Sequence, residues 1–519
     1  MNKSSKTGDA EQLGGGRTNL LVEKRDFVNI AILTAVILAV GIYLICTTVL
    51  ISKDGTLYID LAKTFVGSNF IDAVRNMQVC PGYSFLIYLM HKTAGLIVNA
   101  ESLQSWIVSA QAVSLFSKLI ASAALYFAGS YFAGRKAAFW GILILSILPD
   151  SAEYGSDALT EWPQLMFLTT GFLLLLWGTQ YRKVWMFGLA GIAAGLGYLV
   201  RSESCQLLIY GGVWLLFNVI RPEGKMRRTK AVVALILLAA GFAVIAAPYM
   251  KLKGYAFPDQ KLFKLPAILS VNNNADSSGG VNICLAGISL GETRGDKTLT
   301  KNICETLMYY FVPGLLIGCY YYFRKQSKSQ QQTFYAAAFI VFNILMFLWQ
   351  LYFRKSLGLN YLSRRHTLAL IAFTAFYIPI GIEIIAGWIN KKDMHSWFYI
   401  LMFIGIAICM PKLFKLIGTQ KYGYRYAAAW LGKNTAPADV IAVPDKRITF
   451  YAERKGIEYS EKKKISKQAG YIVRVIKSGD DKPNNDENVN EEHSTWVDKK
   501  ESKKLVIYKV IPKKIKKAK

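Results

Sequence analysis

Three groups of charged residues stand just beyond long apolar runs, and their types could do acid–base and anion-binding chemistry. The first is Ser52-Lys53-Asp54-Gly55-Thr56-Leu57-Tyr58-Ile59-Asp60-Leu61-Ala62. A carboxylate that emerges directly from an apolar run, as Asp54 does, suits a general base acting on a hydroxyl whose co-substrate lies in lipid. Tyr58 and Ala62 follow at i+4 and i+8, so on a helix they share the face of Asp54. The plainer reading is that Asp54 only marks a helix end, and the chemistry alone leaves the two level. The second group, Pro149 to Pro163, holds four acids: Asp150, Glu153, Asp157 and Glu161. Thr160 could cap the following helix and place Glu161 at the positive end of its dipole. The other reading makes Glu161 a second carboxylate facing Asp54, to position an acceptor or a divalent ion. Such oxygen ligands suit Mg or Mn, but one or two carboxylates do not define a metal site, and no cofactor is certain. The third group is cationic: Arg201 beside Glu203, then Arg354, Lys355, Arg364, Arg365 and His366, with Lys251 and Lys253. Arg binds phosphate through a planar fork, while snorkelling to the headgroup region is the plainer role for any one of them.

The elements that must position these residues are membrane spans. The chain has 519 residues, 53% hydrophobic and only 18% charged, against roughly 25% charged in soluble domains. Mean hydropathy is +0.27, which excludes a disordered chain and argues against a soluble enzyme. The uncharged run from Phe27 to Ser52 is long enough to cross a bilayer, which takes about 20 apolar residues. Further runs lie at 106–131, 137–150, 162–179, 184–200, 205–220, 231–249, 304–323, 333–352, 367–389 and 396–414, giving about eleven spans. The segment 82–98, interrupted by His91 and Lys92, reads as an interfacial helix. With it left out, the loops holding Arg135-Lys136, Arg182-Lys183, Arg221 to Lys230, Arg324 to Lys328 and Lys391-Lys392 fall on one side. Basic loops mark the cytoplasm. The loops 53–105, 150–161, 201–204, 250–303 and 353–366, which hold the three charged groups, then face outward.

This arrangement gives a cytoplasmic tail (1–26), a transmembrane domain (27–414) and a basic C-terminal domain (415–519), expected on the outer side. From residue 420 onward, 24 Lys and Arg oppose 13 Asp and Glu, so +11 of the net +28 sits here. A helix near Tyr422–Leu431 and the stretches VIAVPD, ITFYAERKGIEY, YIVRVI and KKLVIYKVI read as a small α/β fold. DDKPNNDENVNEE between them reads as a solvated loop. The excess charge is therefore orientation signal and surface charge, and nucleic acid is not an expected partner. Seven cysteines form no CxxC pair, and only a bridge among Cys80, Cys284 and Cys304 suggests itself. Within the spans, Lys118 and Glu383 are the main charges. A transporter or flippase for lipid-linked glycans would place them at its centre, since buried ionisable groups line transport paths.

The order of motifs resembles the polyprenyl-phosphate-dependent GT-C glycosyltransferases, which include the protein O-mannosyltransferases and the aminoarabinose-to-lipid-A transferases. The resemblance rests on Asp54-(x)3-Tyr58-(x)3-Ala62, Cys80-Pro81-Gly82-Tyr83-(x)2-Leu86, Gly134 to Ala138, Leu148-Pro149, Leu159-Thr160-Glu161, Gly195 to Glu203 and Tyr361-(x)2-Arg364-Arg365-His366, across most of 27–390. It implies an all-α polytopic GT-C bundle with a small soluble domain, in a bacterial inner membrane, with catalytic loops in the periplasm. It implies a polyprenyl-phosphate-linked sugar donor, membrane lipids around the site, and a lipid, glycan or protein acceptor. By the resemblance Asp54 is the base of an inverting transfer and Glu161 helps to bind the acceptor. Arg201, Arg364 and Arg365 would hold the donor phosphate, with Tyr58, Asp60, Tyr83, Asp157 and Glu203 lining the acceptor site or groove. Gly55 follows Asp54 where many members have Glu, and Pro81-Gly82-Tyr83-Ser84 stands where many have Pro-Pro or Pro-x-Tyr-Pro. A polymerase for lipid-linked glycans is a further alternative.

Overall fold

The computed structural model describes residues 22–96, 102–220, 227–258, 262–264, 299–324, 364–459, 468–477, 489–498 and 501–511. The first helix, α1 (Lys24–Thr47), buries Leu33, Ile37, Gly41 and Leu44, a stripe at helical spacing that faces the bundle while other faces stay apolar and exposed. Three shorter helices follow: α2 (Lys53–Gly67), α3 (Phe70–Asn76) and α4 (Gly82–Gly95). At 14 residues α4 falls short of the ~20 needed for a span. Its first residue meets the end of the helix Trp185–Val200 so closely that a Cβ on Gly82 would lie 2.7 Å from the Leu199 carbonyl.

The bundle continues with α5 (Leu103–Ala133), α6 (Arg135–Ile147), α7 (Pro149–Tyr154), α8 (Glu161–Tyr181), α9 (Trp185–Val200), α10 (Gln206–Ile220) and α11 (Arg228–Lys253). A short hairpin of β1 (Tyr255–Phe257) and β2 (Leu262–Lys264) precedes α12 (Leu299–Thr306) and α13 (Phe311–Arg324). Then come α14 (Leu368–Thr374), α15 (Ile378–Ile389) and α16 (Met394–Leu413). Among the described residues six helices are long and apolar enough to cross a membrane, or seven if the pair α12–α13, bent by 110°, is one span. Of the other expected spans, 137–150 and 184–200 form the 13-residue α6 and the 16-residue α9, and 162–179 forms the 21-residue α8. The run 333–352 and most of the loops 250–303 and 353–366 lie outside the described residues, as do Arg354, Lys355, Tyr361 and Cys284. Among the described residues Cys80 and Cys304 form no disulfide.

α5 is the central helix, and its buried polar side chains hold the connection between α7 and α8 in place. Gln111 donates to the Ser156 carbonyl (3.0 Å) and Ser114 to the Leu159 carbonyl (3.1 Å). Lys118 donates to the carbonyls of Ser146 (3.2 Å) and Ser151 (3.4 Å). Its ammonium thus adds a donor at two helix-end carbonyls, and the Ser151 carbonyl also accepts from Trp162 (3.0 Å). Glu383 pairs with Lys136 at 3.0 Å. Both charges are thus engaged by groups of the bundle itself.

The chain ends in a mixed sheet with two helices, α17 (Tyr422–Asn434) and α18 (Arg447–Ala452). The strands are β3 (Val440–Val443), β4 (Lys455–Glu458), β5 (Tyr471–Lys477), β6 (Val489–Trp496) and β7 (Lys503–Val510), in the order β4-β3-β5-β7-β6. β3 runs parallel to β4 and β5, while β7 is antiparallel to β5 and β6. Two expectations change here. ITFYAERKGIEY divides into helix α18 and strand β4, because Arg454 turns the chain by donating to the Gly432 and Thr435 carbonyls. The acidic stretch read as loop ends in the edge strand β6, whose exposed Glu491 and Glu492 conceal the alternation of a half-buried strand. The domain's core takes in Leu50 from the end of the first span. Its Phe450 packs with Ile51, Ile59 and Tyr83. It therefore lies on the Asp54 side of the bundle, despite its basic composition.

Candidate active site

The first carboxylate is set by the start of α2. Ser52 is the N-cap, its hydroxyl accepting from the Gly55 N–H (3.1 Å). This fixes Asp54 in the first turn, where the helix dipole favours a negative charge. Gly55 is required by contact: a Cβ there would lie 2.7 Å from Ala158 Cβ and 2.8 Å from its carbonyl oxygen. The start of α2 and the α7–α8 connection thus lie backbone against side chain, and a Glu after Asp54 has no room.

The second carboxylate, Glu161, opens α8. Thr160 does not cap this helix through its side chain, and the Glu161 carboxylate turns to cations instead. Its Oε1 lies 3.3 Å from Arg201 and 3.7 Å from Arg365. Its Oε2 is buried with no hydrogen-bond partner among the described residues. Arg201 leaves α9 in an extended conformation (φ −152°, ψ 129°), which swings its side chain across to Glu161 and to Glu203 at 3.3 Å. Arg365, in the 3-10 turn Arg364–Thr367, completes the set by pairing with Asp54 at 2.5 Å. Burial works against both guanidinium charges. The carboxylates of Glu203 and Glu161 around Arg201, and of Asp54 and Glu161 around Arg365, outweigh it and hold both above the ordinary arginine value.

Tyr58 stands one turn beyond Asp54, and its phenol interacts electrostatically with Asp54, Arg201, Glu161 and Arg365. Burial, followed by the Asp54 charge, pushes this phenol above its usual range, so it stays protonated and can donate. Its ring packs edge-on to Tyr83, 5.1 Å between centroids. Five expected residues, Asp54, Tyr58, Glu161, Arg201 and Arg365, thus converge, with Glu203 behind Arg201.

Other expected site residues lie elsewhere. Tyr83 is fully buried, its hydroxyl donating to the Ala110 carbonyl at 3.1 Å beside Ser114, so it backs Tyr58 and lines no groove. Asp157 is buried and accepts from the backbone N–H of Ser52 (3.0 Å) and of Ala158 (2.7 Å). Burial raises its carboxyl to about 6 despite those two bonds. It is a brace between two loops, not a surface for an acceptor. Asp60 is exposed on another face of α2, near Lys63 and Lys446. Arg364 belongs to an adjacent cluster, where it pairs with Asp150 at 2.9 Å together with Lys412 at 3.0 Å, with Glu305 at 3.8 Å from Arg364. Lys412 had one signal in the sequence, as the single charge in the run 396–414. Glu305 and Thr306, whose hydroxyl donates to Asp150, had none.

Among the described residues no three His, Cys, Asp or Glu side chains converge, and the Arg365 cation lies between Asp54 and Glu161. What the arrangement can do is take a proton at a carboxylate, with two guanidiniums and a phenol ready to stabilise an anionic oxygen.

A family profile described as dolichyl-phosphate-mannose-protein mannosyltransferase matches residues 103–247, which run from α5 into α11. Among solved structures, ArnT from Cupriavidus metallidurans bound to undecaprenyl phosphate is similar over 93% of this chain and 98% of its own, with a TM-score of 0.56 and 12% identity. The chain has the GT-C fold. The archaeal oligosaccharyltransferase AglB from Archaeoglobus fulgidus, in complex with an inhibitory peptide and a dolichol-phosphate, shares that GT-C architecture over 87% of this chain and 69% of its own, with a TM-score of 0.55 and 13% identity. No curated protein sequence matches. The apolar helices and these GT-C neighbours make the chain a multi-pass membrane protein.

Proposed function

We propose that this protein is a membrane glycosyltransferase that moves a sugar from a polyprenyl-phosphate donor to an acceptor hydroxyl or phosphate on the outer face of a bacterial inner membrane. The observation that carries the reading is Arg365 seated between Asp54 and Glu161, with Arg201 and the Tyr58 phenol beside them. Ligands bound to the similar structures support it: the ArnT structure holds undecaprenyl phosphate and the AglB structure a dolichol-phosphate. In the proposed step the donor phosphate takes Arg365 and Arg201 as partners, which frees Asp54. Asp54 accepts the proton of the acceptor hydroxyl while that oxygen bonds to the anomeric carbon. The bond from that carbon to the phosphate oxygen breaks, polyprenyl phosphate leaves, and the anomeric configuration inverts. Oε2 of Glu161, buried without a partner among the described residues, is an acceptor for a substrate hydroxyl.

The test compares cells with and without the gene by mass spectrometry of lipids and glycans, then restores the gene as wild type or Asp54→Asn. We expect a glycan that disappears with the gene, returns with wild type, and does not return with Asp54→Asn at equal protein level. Return of the product with Asp54→Asn overturns the assignment. The transporter reading has no such support, since Lys118 and Glu383 are engaged with carbonyls and with Lys136.

A further inference from the structure

Residues 49–53, which lead from the first span into α2, are held almost entirely by groups from the far end of the chain. The Val49 N–H donates to the Ile417 carbonyl (3.0 Å). Gly418, in the left-handed region at φ +80°, lies so close to Leu50 that a Cβ would sit 2.5 Å from its carbonyl oxygen. The Ile51 N–H donates to the Tyr451 hydroxyl (3.0 Å), and the Ile51 carbonyl accepts from Arg447 (3.4 Å). Arg447 is itself fixed by Asp445 at 2.7 Å. The Lys53 ammonium pairs with Glu458 at the end of β4. The Ser52 N–H goes to Asp157. A loop this close to a membrane span would ordinarily leave these groups to water and move freely.

We infer that the C-terminal domain is a positioning device for Asp54, with Tyr451 and Arg447 as positioning residues that act through Ile51. This rests on the proposed role of Asp54 as base. The contacts of Tyr451 and Arg447 are to Ile51 and not to the carboxylate pair, and Asp54 lies only three residues beyond Ile51. A shift of about 1 Å at a reacting group can cost on the order of 100-fold in rate, so slack in this segment appears in turnover before it appears in affinity.

The experiment uses the full chain in lipid nanodiscs, with undecaprenyl-phosphate-linked sugar extracted from the native membrane as donor. Tyr451→Phe removes one oxygen and keeps the ring, which packs on Phe450 (5.4 Å) and under Arg425 (4.1 Å). Three quantities are read: kcat, donor KM, and amide hydrogen exchange over residues 49–56. The expected result is a kcat lower by roughly 10-fold or more with donor KM changed less than about 2-fold, together with faster exchange confined to that segment. Arg447→Met behaves the same way, and Arg447→Lys recovers part of the loss. Asp54→Asn is measured alongside. If Asp54→Asn retains transfer, the role of Asp54 as base falls. If Asp54→Asn is inactive while Tyr451→Phe and Arg447→Met keep wild-type kcat, or lose it without faster exchange at 49–56, the positioning inference falls. Global loss of folding in Tyr451→Phe, with exchange raised throughout, also overturns it.

Discussion

Arg365→Gln is the most direct probe of the carboxylate pair, because Arg365 is the cation between Asp54 and Glu161. At an effective dielectric of about 20, the contacts of 2.5 Å and 3.7 Å correspond to gross attractions of about 7 and about 4–5 kcal/mol. Most of that is offset by the cost of desolvating the guanidinium. The side chains remain 22% exposed at Arg365 and 26% at Asp54, and Glu161 keeps Arg201, so loss of the cation should cost the fold only about 1–2 kcal/mol. The effect on transfer should be larger. Removing one preorganised group that stabilises transition-state charge costs about 100- to 1000-fold, or about 3–4 kcal/mol. We therefore expect Arg365→Gln to lower kcat/KM for the lipid donor by that factor with little change in melting temperature. Arg365→Lys should fall between the two, because an ammonium keeps the charge and loses the fork that reaches both carboxylates. The assay is initial-rate transfer by purified protein over a range of donor concentrations. A kcat/KM within about 3-fold of wild type for Arg365→Gln would refute the reasoning, since random surface cations behave that way.

Three further outcomes are expected. Gly55→Glu, which restores the residue common after the Asp in many GT-C members, should destabilise the protein by about 1–3 kcal/mol, because its side chain would enter Ala158 at 2.7 Å; thermal unfolding in detergent reads this. Lys118→Met should lower the melting temperature by removing the donor to the Ser146 carbonyl, about 1–3 kcal/mol for an orphaned buried acceptor, while the Ser151 carbonyl keeps Trp162 and the Gly155 N–H and transfer per folded molecule stays near wild type. Asp157 has its folded carboxyl raised from 3.8 to about 6. The folded state then binds more protons than the unfolded one between about pH 4 and 6, so this group makes stability fall as pH rises through that window. Glu153 and Asp60 are raised by burial as well, to about 7 and about 6, so comparing wild type with Asp157→Asn in urea across pH 4–7 should show a steeper fall in wild type; identical slopes would remove the claim.

Much of the site was legible because the membrane confines polar chemistry to helix ends. Asp54, Glu161, Arg201 and Arg365 each stand where an apolar run stops, and charge type with sidedness was enough to group them. Residue type does not tell which acid faces a substrate and which braces a loop, and Asp157 shows the difference: its oxygens are consumed by the N–H groups of Ser52 and Ala158. Tyr83 likewise read as a lining residue and is core. Arg364 and Arg365 are adjacent in sequence, yet the turn they form sends one to Asp150 and the other to Asp54. The grip of Tyr451 and Arg447 on Ile51 spans about 400 residues, and neither has a spacing or periodicity that could signal it.

The first helix is anchored at both ends. At its start, buried Asp26 accepts from the Tyr126 hydroxyl (2.6 Å) and pairs with Arg135 (2.9 Å). Beyond its far end, Ile51 is fixed by Tyr451 and Arg447. Each added residue in a helix advances it by about 1.5 Å and turns it by about 100°. A single insertion in α1 would therefore satisfy one anchor only by rotating the other away from its partners. The segment between Asp26 and Asp54 acts as a fixed ruler, and in chains built on this plan its length should be conserved more strictly than its apolar sequence.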